Sequence, residues 1–188
     1  MDFENDIKNC VHTLEEGGTI LYPTDTVWGL GCDATNEAAV EKLFLLKRRP
    51  QNKSMIILLA DARDVLQYVA APPPDIIAIL ESFEQPTTVI YDHALELAEN
   101  VLHPDGSIGI RVTGDPFCKA LIKRFRKPIV STSANISGEQ APAVFRDISP
   151  EVISGAGYVV RFRQDDHTSR QPSAIIRIND DGEIVKIR

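Results

Sequence analysis

Ile7, Cys10, Val11 and Leu14 recur at the spacing of one helical face, and Gly17-Gly18 closes the pattern, which predicts an amphipathic first helix. The apolar run "TILY" after it predicts a strand. Val40, Leu43, Phe44 and Leu46 form a second face behind Asn36 as N-cap, and predict a helix ending near Pro50. "SMIILLA" does not alternate, so it is expected to be a strand covered on both faces. "DARDVLQYVA" reads as a helix stopped by Pro72, Pro73 and Pro74, and "DIIAILESF" as another ahead of a strand "TTVIY".

In the second half "SIGIRVT" alternates like a strand, and Asp115-Pro116 opens a helix through Phe125. "PIVSTSAN" is the next strand and its mouth; "YVVRF" and "SAIIRI" are late strands. "NDDG" is expected to turn the chain into a closing strand "EIVKIR", whose alternation should bury Val185 and Ile187 and send Lys186 and Arg188 to the cavity side. The segment 163–172, "RQDDHTSRQP", is the candidate mobile loop. Strands and helices alternate through most of the chain, which predicts an α/β fold with helices on a twisted mixed sheet. In such sheets ligands gather at strand ends, so polar residues that abruptly follow apolar strands are the ones to inspect.

Composition narrows this picture. At 188 residues, with 43% hydrophobic and 25% charged residues, the chain reads as a single globular domain, 1–188. The acidic start "MDFEND" and the shortness of the longest apolar run, "MIILLA", argue against a secretory signal or a membrane span and for the cytoplasm. Cys10, Cys32 and Cys118 form no CxxC pair; Cys10 and Cys118 fall on apolar helix faces, as core residues do. A net charge of −7 opposes independent binding to nucleic acid. Basic clusters remain at "LKRRPQNK" and "KRFRK", which can be solvated faces.

Three stretches place polar groups directly behind apolar ones. In "ILYPTDTVWGLG" Thr24, Asp25 and Thr26 crowd the opening, and Gly29 and Gly31 let a backbone approach something closely; this is either a ligand rim or a turn satisfying its own backbone. "STSANISG" gathers Ser131, Thr132, Ser133, Asn135 and Ser137, which can cradle phosphates or a carboxylate, or form a capped turn. "QPSAIIR" repeats the layout. "LKRRPQNKS" gathers cations at a helix end, which the helix dipole favours in any case, and which a polyphosphate would also need. There is no GxxxxGK[ST] loop, no dinucleotide fingerprint at "GLG", and no GxSxG nucleophile.

"YPTDTVWGLG", "LKRRPQNKS", "GIRV", "PIVSTSANISG" and the closing "PSAIIRI" and "VKIR", in this order, resemble the YrdC-type threonylcarbamoyl-adenylate synthases over essentially the whole chain. The resemblance implies a YrdC-like mixed sheet with a large basic cavity. It also implies a reaction joining L-threonine, bicarbonate and ATP into threonylcarbamoyl-AMP and pyrophosphate, with Mg²⁺ on the phosphates. A separate transferase complex would then use the product to modify tRNA. On this resemblance Thr24, Thr26, Arg111, Ser131 and Ser173 are threonine contacts, with Arg111 on the carboxylate. Lys47, Arg49, Lys53, Ser107, Ser133, Asn135 and Arg188 are ATP contacts, Lys47 and Arg49 forming the family's KxR pair.

The sequence departs from that pattern in three places. "SFEQPTTVIY" lacks the glycine of a PGPxT segment, Arg48 stands where glycine is common, and Ala174 replaces a threonine. The extra C-terminal domain of longer members is expected to be absent. Two other readings stay open at this point: a YrdC-fold paralogue acting on another carbamoylated substrate, and an RNA-binding module, against which acidity and the lack of aromatic clusters count.

Overall fold

The computed structural model describes residues 3–50, 53, 55–178 and 183–188. Helix α1 (Glu4–Glu15) buries Ile7, Cys10 and Leu14 and ends at Gly17, whose φ of +66° only glycine adopts cheaply. Strands β1 (Ile20–Tyr22) and β2 (Gly29–Gly31) follow. Helix α2 (Glu37–Lys47) starts where Asn36 accepts a hydrogen bond from the Ala39 amide at 3.1 Å, and stops at Arg48 in the left-handed region, short of Pro50. Then come β3 (Ile56–Leu59), α3 (Val65–Tyr68), α4 (Ile76–Glu81), β4 (Thr87–Tyr91) and β5 (Ile108–Val112). Helix α5 (Pro116–Phe125) is capped by Asp115, which accepts from the Cys118 amide at 3.0 Å. β6 (Ile129–Ser133), α6 (Pro150–Gly155), β7 (Tyr158–Val159), β8 (Ala174–Ile178) and β9 (Ile184–Lys186) complete the order.

The strands form one mixed sheet in the order β7-β1-β2-β6-β3-β5-β4-β8-β9. The pairs β1/β7, β3/β5 and β4/β8 are parallel and the others antiparallel. Register explains the placement of the site. Val130, Ile57, Ile110, Val89 and Ile176 are cross-strand neighbours in one row, all buried, in one core cluster with the apolar faces of α1 and α5. The next row, Ser131, Ile56, Gly109, Ile90 and Arg177, points to the other face because side chains alternate along a strand. That row is small or polar at most of its positions, and it floors a cavity.

Several expectations change. Gly29–Gly31 is a strand, with Gly29 also lining that cavity, so "YPTDTVWGLG" is a hairpin whose loop carries Thr24 to Thr26. Ile56 is only half-buried, so "SMIILLA" is not covered uniformly on both faces. "DARDVLQYVA" divides into a 3₁₀ turn, Ala62–Asp64, and the four-residue α3. "YVVRF" contributes only two residues to the sheet. β9 pairs with β8 as expected, but Val185 and Ile187 stay exposed, at 38% and 56%, because nothing packs over this edge strand among the described residues. The "NDDG" turn lies outside the described residues, as do three positions of "LKRRPQNKS". All three cysteines are buried and free, and burial pushes their thiols well up in pKa, which keeps them unreactive.

Candidate active site

The cavity over the second row has a volume of about 500 Å³. Its floor stays open at Gly109, where a Cβ would come within 2.9 Å of Ile56 Cγ2 and 3.1 Å of Thr88 Cγ2. The expected location at the ends of the strands is thereby corrected: the site occupies a face of the sheet, because small residues in adjacent strands leave a hollow there.

Arg111 reaches this cavity from β5 while only 3% exposed. Its Nη2 lies 3.2 Å from Asp25 Oδ1, an ion-pair contact outside hydrogen-bond geometry, and neither Nε nor Nη2 has a hydrogen-bond partner. Asp25 Oδ2 is itself fixed by the Thr113 hydroxyl at 3.1 Å and the Gly114 amide at 2.9 Å. A buried guanidinium with unused donors at a cavity wall is suited to an anionic ligand, and a carboxylate matches its fork.

The PTDT loop resolves into both readings, one residue each. The Thr24 hydroxyl donates to the Val27 carbonyl at 2.8 Å and accepts from the Thr26 amide at 2.9 Å, so it closes the turn and does not line the cavity. Thr26 does line it.

Ser131 and Ser133 of β6 line the cavity; Asn135 does not. The Asn135 side-chain nitrogen donates to the carbonyls of Ile136 and Glu139 at 3.0 and 2.8 Å. Lys47 is almost fully buried behind this loop, donating to the Ser133 and Asn135 carbonyls, and is absent from the cavity wall. The reason is local: α2 ends against the loop, and the ammonium satisfies carbonyls that would otherwise be buried without partners. Arg49 lines the cavity and is lowered in pKa by burial, while Lys53 is exposed and does not line it.

The opposite wall comes from β4, β5 and β8. Ser107 donates its hydroxyl to Asp105 Oδ1 at 2.6 Å, and this bond with the Ser107 amide's holds the Asp105 carboxyl down at about 2. Ser173 and Thr88 share a hydrogen bond of 2.8 Å in the buried wall. Arg188 donates to the Ser173 carbonyl at 3.1 Å and lines the cavity although the plain alternation of β9 would turn it away. A β-bulge re-aims it: the amides of Ile187 and Arg188 both donate to the Ile175 carbonyl, at 2.8 and 3.1 Å, so two residues face one. Lys186 pairs with Ile176 of the core row and does not line the cavity, against expectation.

Of the residues singled out in the sequence, Thr26, Arg49, Ser107, Arg111, Ser131, Ser133, Ser173 and Arg188 converge on the cavity, and Thr24, Lys47, Lys53 and Asn135 do not. Missed were Thr88, His103, Asp105 and Arg177. Thr88 and Ile90 alternate within "TTVIY", a signal that becomes informative only with the register to β8. Arg177 meets Asp92 through one nitrogen, at 2.9 and 3.0 Å. Among the described residues no group of three or more His, Cys, Asp or Glu could hold a metal ion.

A family model named for Sua5, YciO and YrdC, described as telomere recombination, matches residues 12–188. The threonylcarbamoyl-AMP synthase of Saccharophagus degradans is 37% identical over 178 residues, covering 91% of this chain and 93% of that protein. Sua5 of P. abyssi, solved in complex with L-threonine, superposes with a TM-score of 0.86 at 22% identity, covering 98% of this chain. This chain spans 54% of that one. E. coli YciO superposes with a TM-score of 0.82 at 22% identity, covering 98% of this chain and 89% of its own. At these identities both structures speak for the fold alone.

Proposed function

Since the chain belongs to the Sua5/YciO/YrdC family, we propose that it is a threonylcarbamoyl-AMP synthase, making threonylcarbamoyl-AMP and pyrophosphate from L-threonine, bicarbonate and ATP. The observation in the site that carries this reading is Arg111, a buried cation with unused donors among the hydroxyls of Thr26 and Ser131. It is the natural seat for the carboxylate of an amino acid, with the hydroxyls left to meet its polar groups.

The chemistry needs no protein nucleophile. The threonine nitrogen forms a bond to the bicarbonate carbon, and water leaves to give an N-carboxylate. An oxygen of that carboxylate then attacks the α-phosphorus of ATP, and the bond to the β-phosphate oxygen breaks with release of pyrophosphate. Positioning and charge neutralisation dominate such transfers. Arg49 and Arg188 are the cations that the cavity wall offers to the phosphates, and Ser133 supplies a hydroxyl beside them, whereas the Ser107 hydroxyl is already committed to Asp105. Mg²⁺ enters as part of the nucleotide substrate: the described side chains form no cage for it.

The product is an activated acyl adenylate for a transferase that modifies adenosine in tRNA, and that transferase is the expected partner. No helix among the described residues is long and apolar enough to cross a membrane, and the cytoplasm is where this chemistry would run. Pyrophosphate release from the purified chain tests the reading. Release should require L-threonine, bicarbonate and ATP together, and release indifferent to L-threonine would assign the site to another carbamoylated substrate.

A further inference from the structure

Asp25 sits where two hollows nearly meet. It borders a second cavity of about 380 Å³, together with Thr113, Gly114 and Pro86, and is not among the residues lining the first. Among the described side chains that line the first cavity, the one it forms an ion pair with is Arg111. We infer that Asp25 is a positioning residue for the threonine end of the site: its carboxylate, anchored on the turn after β5, holds the Arg111 guanidinium in the pose that meets the substrate carboxylate. The inference rests on the reading of Arg111 given above.

Three observations carry it. First, Arg111 is 3% exposed and has no hydrogen bond from Nε or Nη2, so nothing but the Asp25 contact at 3.2 Å compensates that charge among the ion pairs of the described residues. A guanidinium left in a dry wall without a counter-charge would leave it. Second, Asp25 Oδ2 is held by two donors on the chain immediately following the arginine's own strand, Thr113 and Gly114. The carboxylate thus ties the hairpin loop to β5, and the loop carries Thr26 along with it. Third, the contact spares Nε, which stays buried and without a partner on the arginine's fork.

An anion beside Arg111 also lowers the local positive potential, which by itself would weaken binding of a second carboxylate. Position outweighs this, because an arginine that has swung away loses its directional bonds altogether, whereas partial neutralisation leaves them in place.

The test is Asp25→Asn in the full chain, isosteric and unable to carry the charge. In wild type the ¹⁵N signals of the Arg111 guanidinium, assigned with Arg111→Lys, should show hindered rotation, and in Asp25→Asn they should average. The dissociation constant for L-threonine should rise on the order of 10- to 100-fold, the size of one charge-assisted hydrogen bond, with ATP binding within about twofold of wild type. In an Arg111→Ala background the same change should cost threonine binding nothing further, since a pair acting as a unit is not additive. Thr113→Val, which removes one donor from Asp25 Oδ2, should give the same signature at smaller size and serves if Asp25→Asn does not fold. Unchanged or tighter threonine binding, or a loss that persists without Arg111, would overturn the inference. Should wild type fail to bind L-threonine, the functional reading falls, and the Arg111 signals alone decide: averaged in Asp25→Asn they uphold the positioning role, unchanged they overturn it.

Discussion

The ammonium of Lys47 lies 2.6 Å from the backbone carbonyl oxygen of Asn135, and the Ser137 amide donates back to the Lys47 carbonyl at 2.8 Å. The end of α2 and the serine-rich loop are therefore stitched in both directions, and Lys47 shapes the cavity from behind. Burial, with Arg49 adding to it, pulls its pKa down to about 7 from an ordinary value of 10.5. A neutral amine still has two N–H donors for the two carbonyls, so the tie survives deprotonation. Because the unfolded chain holds this proton up to higher pH, burying the side chain opposes folding below pH 7, and that opposition is relieved as pH rises towards 10.5. The stability of wild type relative to Lys47→Met should rise with pH over that range, by at most about 1.4 kcal/mol per pH unit. Denaturant unfolding at several pH values checks it, and parallel curves for the two proteins would contradict it.

Arg111→Ala removes the cation on which the threonine reading depends. L-threonine binding should weaken by roughly 1.5–3 kcal/mol, the size of a hydrogen bond to a charged group, with ATP binding nearly intact. Calorimetry with each ligand separately makes the comparison. Equal losses for both would mean that Arg111 serves the nucleotide instead.

Gly29 and Gly31 look alike in "GLG" but face different constraints. A Cβ on Gly31 would collide with the Val130 carbonyl oxygen and stand 2.8 Å from Tyr22 Cε1, so Gly31→Ala should cost about 1–3 kcal/mol of stability through overpacking. A Cβ on Gly29 would find ordinary contacts at 3.4 to 3.5 Å on the cavity wall. Gly29→Ala should leave the thermal midpoint close to wild type while changing substrate affinity. Similar melting losses in both variants would refute the distinction.

That pair shows which parts of the structure were legible. Strand β5 announces itself by local alternation, and α2 and α5 by their caps, because the forces that form them act within a few residues. β2 does not: Gly29-Leu30-Gly31 has little strand preference, and it is a strand because β1 and β6 hold it on either side. Thr88 and Arg177 were missed for a related reason, since their common face depends on the register of β4 with β8. The place of Lys47 behind the cavity wall was not legible because its partners, the carbonyls of Ser133 and Asn135, are remote along the chain. Arg111 and Ser131 were readable as polar residues interrupting apolar strands.

Four arginines line the cavity, but a net charge of −7 opposes independent binding to nucleic acid. Free tRNA should bind at physiological salt no tighter than roughly 10⁻⁴ to 10⁻⁶ M, the range of non-specific contacts. Filter binding or fluorescence anisotropy across a salt series measures this. A nanomolar complex that resists salt would place an RNA site on the chain itself.

The last prediction turns on the β-bulge at Ile187 and Arg188. Without it, Arg188 would follow Lys186 onto the face of the buried row; with it, the guanidinium comes to the cavity and donates to the Ser173 carbonyl. Ser173 in turn bonds Thr88, so Arg188 closes a short chain of contacts along one wall. A residue that only decorated an exposed edge strand could be removed without effect on any ligand. If Arg188 instead meets the phosphates of ATP, Arg188→Ala should weaken ATP binding by up to about 1 kcal/mol, the usual size for an exposed ion pair, and increasingly so at low salt. L-threonine binding and the thermal midpoint should hardly move, because no core contact is lost. ATP titrations of the two proteins at two ionic strengths decide the matter: an affinity equal to wild type at both would mean that the bulge shapes the edge of the sheet and not the site.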